Sequence, residues 1–215
     1  LIHNTKKIIE FLRINKKHTT ITTMPMGYSY GLSILNTHLY VGGKIVLNKK
    51  SILEKNFWIN FKRYKISSFG GVPFFYNLLR KINLSNINLN HLIYMTQAGG
   101  KLDNECLEYF GNYCKKNKKK FFVMYGQTEA SPRMTILNWR NFFDKIGSVG
   151  KPFIGSKINI INEKFDASIK RKVGDLEFLG KNCCLGYANN FEDLKLGDKN
   201  KGKILTGDIG YKDKN

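Results

Sequence analysis

Two hydrophobic periods alternate along the first 126 residues. Ile2, Ile8, Ile9 and Leu12 share one helical face, which predicts an amphipathic helix ending near Asn15. The β-branched run Thr19 to Met24 predicts a strand closed by Pro25. A helix over Gly31 to Tyr40 follows, then a strand over Lys44 to Leu47 and a helix over Leu53 to Tyr64. Ile66 to Val72 reads as a strand leaving through glycines, and Pro73 suits the first turn of a helix over Phe74 to Ile82. Leu92 to Gly100 is the next strand. Asp103 is placed to cap a helix over Glu105 to Lys116, and Phe121 to Gly126 forms a fifth strand. Alternation of this kind predicts an α/β fold, a mostly parallel sheet flanked by helices, over residues 1–137. Beyond Arg133 the texture changes to short apolar runs punctuated by glycine, "GSVGKPFIGSKINIIN", "VGDLEFLG" and "KILTGDIGYKD", so a β-rich subdomain is expected over residues 138–215.

Composition narrows the class. The chain has 215 residues, 42% of them hydrophobic and 13% aromatic, which excludes a disordered chain. The formal net charge is +20. Charge alone would suggest a basic nucleic-acid-binding module. The lysines, however, are spread along the whole chain beside abundant Asn and Ile, and only "KKNKKK", Lys115 to Lys120, is dense. That run falls where a solvated helix end precedes a strand, so no nucleic-acid partner is expected. Cys106, Cys114, Cys183 and Cys184 make no C-x-x-C pair, so reduced thiols in a cytoplasmic protein are expected rather than a metal site. No apolar run reaches the length of a membrane span.

Candidate chemistry gathers at three strand ends. In an open α/β sheet, ligands sit outside the carboxyl ends of the strands. The third strand ends in Gly70-Gly71, the fourth in Gly99-Gly100, and the fifth in Tyr125-Gly126 followed by Gln127, Thr128 and Glu129. Glycines let a ligand lie against the backbone. Tyr125 can stack on an aromatic base, Thr128 can donate to a phosphoryl oxygen, and Glu129 can hold Mg2+ beside substrate phosphates. No G-x-G-x-x-G opens a helix, which argues against a dinucleotide oxidoreductase.

"VMYGQTEAS" resembles the Y-G-x-T-E signature of the adenylate-forming (AMP-binding) superfamily: acyl- and aryl-CoA synthetases, luciferases and adenylation domains. "MPMGYSYGL", "GGVP", "TQAGGKL", "GDLEFLGKNCCLGY" and "LTGDIGYKD" resemble other family segments in the family's order. The resemblance implies part of the N-terminal domain of such an enzyme. It implies an ATP- and Mg2+-dependent ligase that activates a small carboxylic acid as its acyl-adenylate. The acyl group would then pass to a thiol, from CoA or from the phosphopantetheine of an acyl carrier protein. Carried across, Thr128 contacts the α-phosphate and Glu129 binds Mg2+. Gly99, Gly100 and Lys101 line the adenine and substrate, with Gly126 and Gln127 beside them. Tyr125 stacks on adenine and Asp208 accepts from the ribose hydroxyls. Tyr28, Gly71 and Val72 border the acid pocket, while Tyr187 reads as packing. Asp175 stands where the family usually carries Glu.

The first residues, "LIHNTKKIIEFL", lack both an initiator Met and a signal-peptide layout. The resemblance implies a phosphate loop just before Leu1 and a lid after Asn215, and nothing within these 215 residues matches either. The expectation is an interior fragment, incomplete at both ends and inactive alone. The alternative is a catalytically dead remnant that binds nucleotide weakly.

Overall fold

A computed structural model describes residues 1–82 and 84–213. Seven strands form the larger sheet, in the order β2-β1-β3-β4-β5-β6-β7. Its parallel part comprises β1 (Thr19–Ile21), β2 (Lys44–Val46), β3 (Ser68–Gly71), β4 (Tyr94–Gln97) and β5 (Lys120–Tyr125). Five helices alternate with these strands: α1 (Ile2–Leu12), α2 (Ser29–Tyr40), α3 (Lys55–Arg63), α4 (Pro73–Arg80) and α5 (Asn104–Lys116). The expected α/β order therefore holds. Pro73 opens α4, and the Asp103 carboxylate accepts the Cys106 N–H at 2.7 Å to cap α5.

Both faces of the sheet are covered, which explains the unbroken apolar run of β5. Phe121 and Val123 point into a core shared with Phe57, Phe61, Tyr76, Leu79 and Phe110 of α3, α4 and α5. Phe122 and Met124 point the other way, against Ile8, Leu12 and Tyr30 of α1 and α2. A strand buried on both faces needs no polar alternation. Tyr76 ties helix to sheet, with its ring 5.0 Å from that of Phe110 and its hydroxyl donating to the Thr96 carbonyl at 2.8 Å.

Beyond Arg133 the pattern was less legible. Strands β6 (Thr135–Leu137) and β7 (Lys151–Pro152) reverse direction but remain in the large sheet. The second, antiparallel sheet follows: β8 (Lys157–Asp166), β9 (Arg171–Leu179) and β10 (Lys203–Gly210), in the order β10-β9-β8. So the single run "GSVGKPFIGSKINIIN" holds strands of both sheets, parted by the turn at Gly155, φ 88°. The runs expected to be short are, in β8 and β9, ten and nine residues long. Their outer halves are polar and solvated, so backbone pairing carries the ladder where no apolar pattern marks it. A bulge in β10 sets Thr206, Gly207 and Asp208 between the pairs Leu205–Glu177 and Ile209–Asp175.

His38 of α2 is buried and shares a 2.9 Å hydrogen bond between its Nδ1 and the Ile34 carbonyl. Burial pushes its pKa down to about 4. The unfolded chain, with a His near 6.5, therefore takes a proton that the folded chain refuses. Stability should fall by about 1.4 kcal/mol per pH unit between pH 6.5 and 4 from this group alone. Urea unfolding across that window checks it, and His38→Gln should flatten the profile.

Candidate functional site

Strands β3, β4 and β5 are parallel neighbours, with Gly71 opposite Gln97 and Gln97 opposite Val123. Their exits therefore lie side by side at one edge. The Lys115–Lys120 run lies at the other edge, where Lys120 starts β5. Each exit is crowded against backbone or side chains. Gly99 and Gly100 hold φ of 77° and 151°, and a Cβ on Gly99 would sit 2.6 Å from the Tyr28 hydroxyl oxygen and 3.0 Å from Val72 Cγ1. Tyr28, Val72 and Gly99 thus meet at one point. Gly71 faces Phe75, where a Cβ would come within 2.5 Å of the ring, and Phe75 itself belongs to the core. Lys101 is exposed beyond the glycine pair. The buried Gln97 side chain donates to the Gly100 carbonyl at 2.7 Å and so sets the curvature of this loop.

The loop after β5 turns back sharply. A Cβ on Gly126 would lie 1.7 Å from the Pro132 carbonyl oxygen, so only glycine fits. The Met134 N–H then returns to the Tyr125 carbonyl at 2.9 Å. Between them Thr128–Ala130 form one 3-10 turn, ended by Ser131 at φ 60°. Gln127 caps the turn from the extended region. Thr128 is exposed, and its hydroxyl lies 3.0 Å from that of Ser29 at the start of α2.

The second sheet grips this loop. Asn182, 3% exposed, donates from Nδ2 to the Ala130 carbonyl at 2.5 Å, and its own carbonyl accepts from Ser131 Oγ at 3.0 Å. The Cys184 N–H donates to the Glu129 carbonyl at 2.7 Å. Ala130 and Met134 pack against Ile158, Phe178 and Ile204. On the same side, the Tyr125 hydroxyl donates to Asp208 Oδ2 at 2.5 Å. Burial, with this bond to a carboxylate, holds the Tyr125 phenol protonated far above neutrality.

Glu129 accepts a short hydrogen bond from the Tyr187 hydroxyl. That bond, with the residue's own backbone N–H, lowers the carboxyl pKa, so Glu129 is anionic at pH 7. Tyr187 was expected to be packing; it is 73% exposed and holds this carboxylate instead. Among the described residues no cluster of three or more His, Cys, Asp or Glu is set to hold a metal, so Glu129 stands as a single carboxylate. The four cysteines are free. Among the described residues no helix is long and apolar enough to cross a membrane.

The AMP-binding enzyme family model matches residues 1–188. The chain belongs to the AMP-binding enzyme family. Among curated relatives, the oxalate–CoA ligase of Saccharomyces cerevisiae is 26% identical over 216 residues, covering 99% of this chain and 38% of its own length. A luciferin 4-monooxygenase of Nipponoluciola cruciata is 28% identical over 196 residues, covering 90% of this chain and 35% of its own. This member of the AMP-binding family thus spans less than two-fifths of those relatives. The O-succinylbenzoate coenzyme A synthetase of Bacillus subtilis, solved with ATP and magnesium ion, superposes with a TM-score of 0.77 at 22% identity. It covers 99% of this chain and 43% of its own, and shows the same fold.

Sequence reasoning missed Ser29, Gln97 and Asn182. Ser29 adjoins the quoted Tyr28, and Gln97 precedes the glycine pair, so position alone could have flagged both. Asn182 carried no such signal. Its loss should be costly, because a buried carbonyl is left without its donor. Asn182→Ala is expected to lower stability by about 2–3 kcal/mol in urea unfolding. Tyr187→Phe should raise the Glu129 pKa toward the ordinary carboxylate value, read by NMR titration of its side-chain carboxyl, with the fold unchanged.

Proposed function

We propose that this AMP-binding family member supplies the nucleotide shelf and acid pocket of an ATP-dependent acid–thiol ligase. The reaction class is activation of a carboxylic acid as its acyl-adenylate, with transfer to the thiol of CoA or of a carrier-protein phosphopantetheine. The observation that carries the reading is the junction of Tyr125 with Asp208, 83 residues apart and from different sheets, beside the exits of β4 and β5. An adenosine needs a flat apolar surface next to an acceptor for its ribose hydroxyls, and this pair offers both.

The residues present fit the nucleotide. Gly99 and Gly126 leave bare backbone where a Cβ would collide with the protein itself, and Gly100 does so where one would crowd Pro73 at 3.1 Å. In this reading Gly99, Gly100, Lys101 and Gln127 border the shelf by backbone, the Tyr125 ring covers the base, and Asp208 accepts from the ribose. Thr128 and Glu129 are the catalytic candidates. The Thr128 hydroxyl, exposed and held by Ser29, donates to a phosphoryl oxygen. Glu129 is the one carboxylate for Mg2+, an ion that takes one or two protein carboxylates and draws its remaining ligands from phosphates and water. A Mg2+ held by Glu129 would supply neutralisation of phosphate charge, the main need of such chemistry. Tyr28, Gly71 and Val72 border the acid. In this division of labour residues 1–137 supply most of the nucleotide and acid contacts, and residues 138–215 form a β-rich cover that adds Asp208.

Calorimetric titration of this chain with AMP, and with ATP at varied Mg2+, tests the proposal. Asp208→Ala and Tyr125→Ala should each weaken AMP binding about tenfold or more, as expected for a lost hydrogen bond to a charged group or a lost stacking partner. Glu129→Gln should leave AMP affinity intact and abolish the Mg2+ dependence of ATP binding. Absence of adenine-nucleotide binding by the unmodified chain, or an AMP affinity in the Asp208 and Tyr125 variants equal to that of the unmodified chain, sinks the reading.

A further inference from the structure

Behind the patch of Tyr28, Gly71 and Val72 lies a small buried cavity of mixed lining, where Thr20, Thr37, His38, Ser68, Thr96 and Arg133 meet apolar side chains such as Leu12 and Phe69. Tyr30 separates the two. Its hydroxyl lies 2.7 Å from Thr96 Oγ1, and a Cβ on Gly70 would meet that hydroxyl at 2.8 Å. Arg133 is 3% exposed. Its guanidinium stacks 4.9 Å over the Tyr30 ring, and its Nε donates to Ser33 Oγ at 3.0 Å. Among the described residues no carboxylate pairs with it. His38, the other basic group at the cavity, is held neutral at pH 7 by burial. Thr20 donates to the Ser68 carbonyl at 3.1 Å and Thr37 to the Ile34 carbonyl at 2.9 Å, so neither hydroxyl proton is spare. The result is an enclosed space with one full positive charge and no negative one. Burying a cation without a counter-charge is among the most costly arrangements in a protein. A ring face and one hydroxyl offset only part of that cost.

We infer that this cavity is a binding site for a small anion, with the Arg133 guanidinium as its recognition group. A water there would satisfy donors but leave the charge uncompensated. The free space, about 10 Å³, only just admits a water-sized body, so any ion it takes is a single small one, and a halide, larger than water, enters only as the lining side chains give slightly. Two sources supply this chemistry. A free halide needs only that slight give. The far carboxylate of a diacid reaches it only if Tyr30 turns aside, and this second source rests on the acid pocket proposed above.

The test is thermal unfolding of this chain at fixed ionic strength, with chloride or bromide replacing the bulkier gluconate, in parallel with succinate against butyrate. The expected result is a saturable rise of several degrees with halide. That rise should be absent in Arg133→Met, and a bromide-soaked crystal should show an anomalous peak against the guanidinium. Stabilisation by succinate but not by butyrate or bromide, again lost in Arg133→Met, assigns the site to the second carboxylate of the acid. No response to halide or succinate beyond that to butyrate, together with no bromide peak, overturns the inference, as does an equal response in Arg133→Met. If that variant does not fold, the bromide peak in the unmodified chain decides. Failure of AMP binding in the titration above removes the diacid source and leaves the halide source standing.

Discussion

The grip of Asn182 on the loop after β5 is the constraint on which the rest depends. That loop leaves the sheet at Tyr125 and comes back at Met134, with a 3-10 turn and a left-handed residue in between. Such a segment has few backbone bonds of its own. Asn182 satisfies Ala130 and receives Ser131, while the backbone of Cys184 satisfies Glu129. The bond from Asn182 to Ala130 is buried, where an amide–carbonyl pair is strongest and an orphaned partner most costly. The apolar contact of Ala130 and Met134 with Phe178, Ile158 and Ile204 closes the same joint. Thr128 and Glu129 inherit their positions from it.

The joint also sets the electrostatics. Glu129 and Asp208 are each engaged by one tyrosine hydroxyl, Tyr187 and Tyr125 respectively. Each tyrosine comes from the opposite partner in the joint: Tyr187 follows the second sheet, and Tyr125 ends a strand of the first. The two carboxylates are thus met by neutral donors rather than by lysines, although the chain carries 36 basic residues. A carboxylate bonded to a phenol keeps its charge for a cation, where one paired to an ammonium would already be neutralised.

Most of the large sheet could be read from the sequence because it is buried on both faces and punctuated by glycine and proline. Leu92 to Gly100 and Phe121 to Gly126 were legible for that reason, as were the exits that follow them. The edges of elements were less so. The first strand stops at Ile21 rather than Met24, and α2 starts at Ser29 rather than Gly31. At the first place hydroxyl side chains, as of Thr23 with the Gly70 carbonyl, take over from the ladder; at the second the backbone alone starts the helix early, with the Leu32 N–H donating to the Tyr28 carbonyl. Strand β6 was hidden because three buried residues carry no period. The outer hairpin of β8 and β9 was hidden because Lys, Glu and Asn mark a solvated ladder no differently from a loop. Of the candidate residues, the glycines and Tyr125 were legible from strand ends. Ser29 could have been flagged by its place beside Tyr28, but Asn182 was not legible, because its role exists only once two distant segments meet.

That solvated hairpin has a consequence for behaviour in concentrated solution. Strands β8 and β10 are the two free rims of the small sheet, and each offers unpaired amides and carbonyls to a neighbouring molecule. Lys157 and Lys164 stand along one rim and Lys203 on the other. Acidic groups share both rims, Glu163 and Asp166 with the lysines of β8 and Asp208 with Lys203 of β10, so each rim is a row of solvated charges that a neighbouring strand would have to strip of water before pairing.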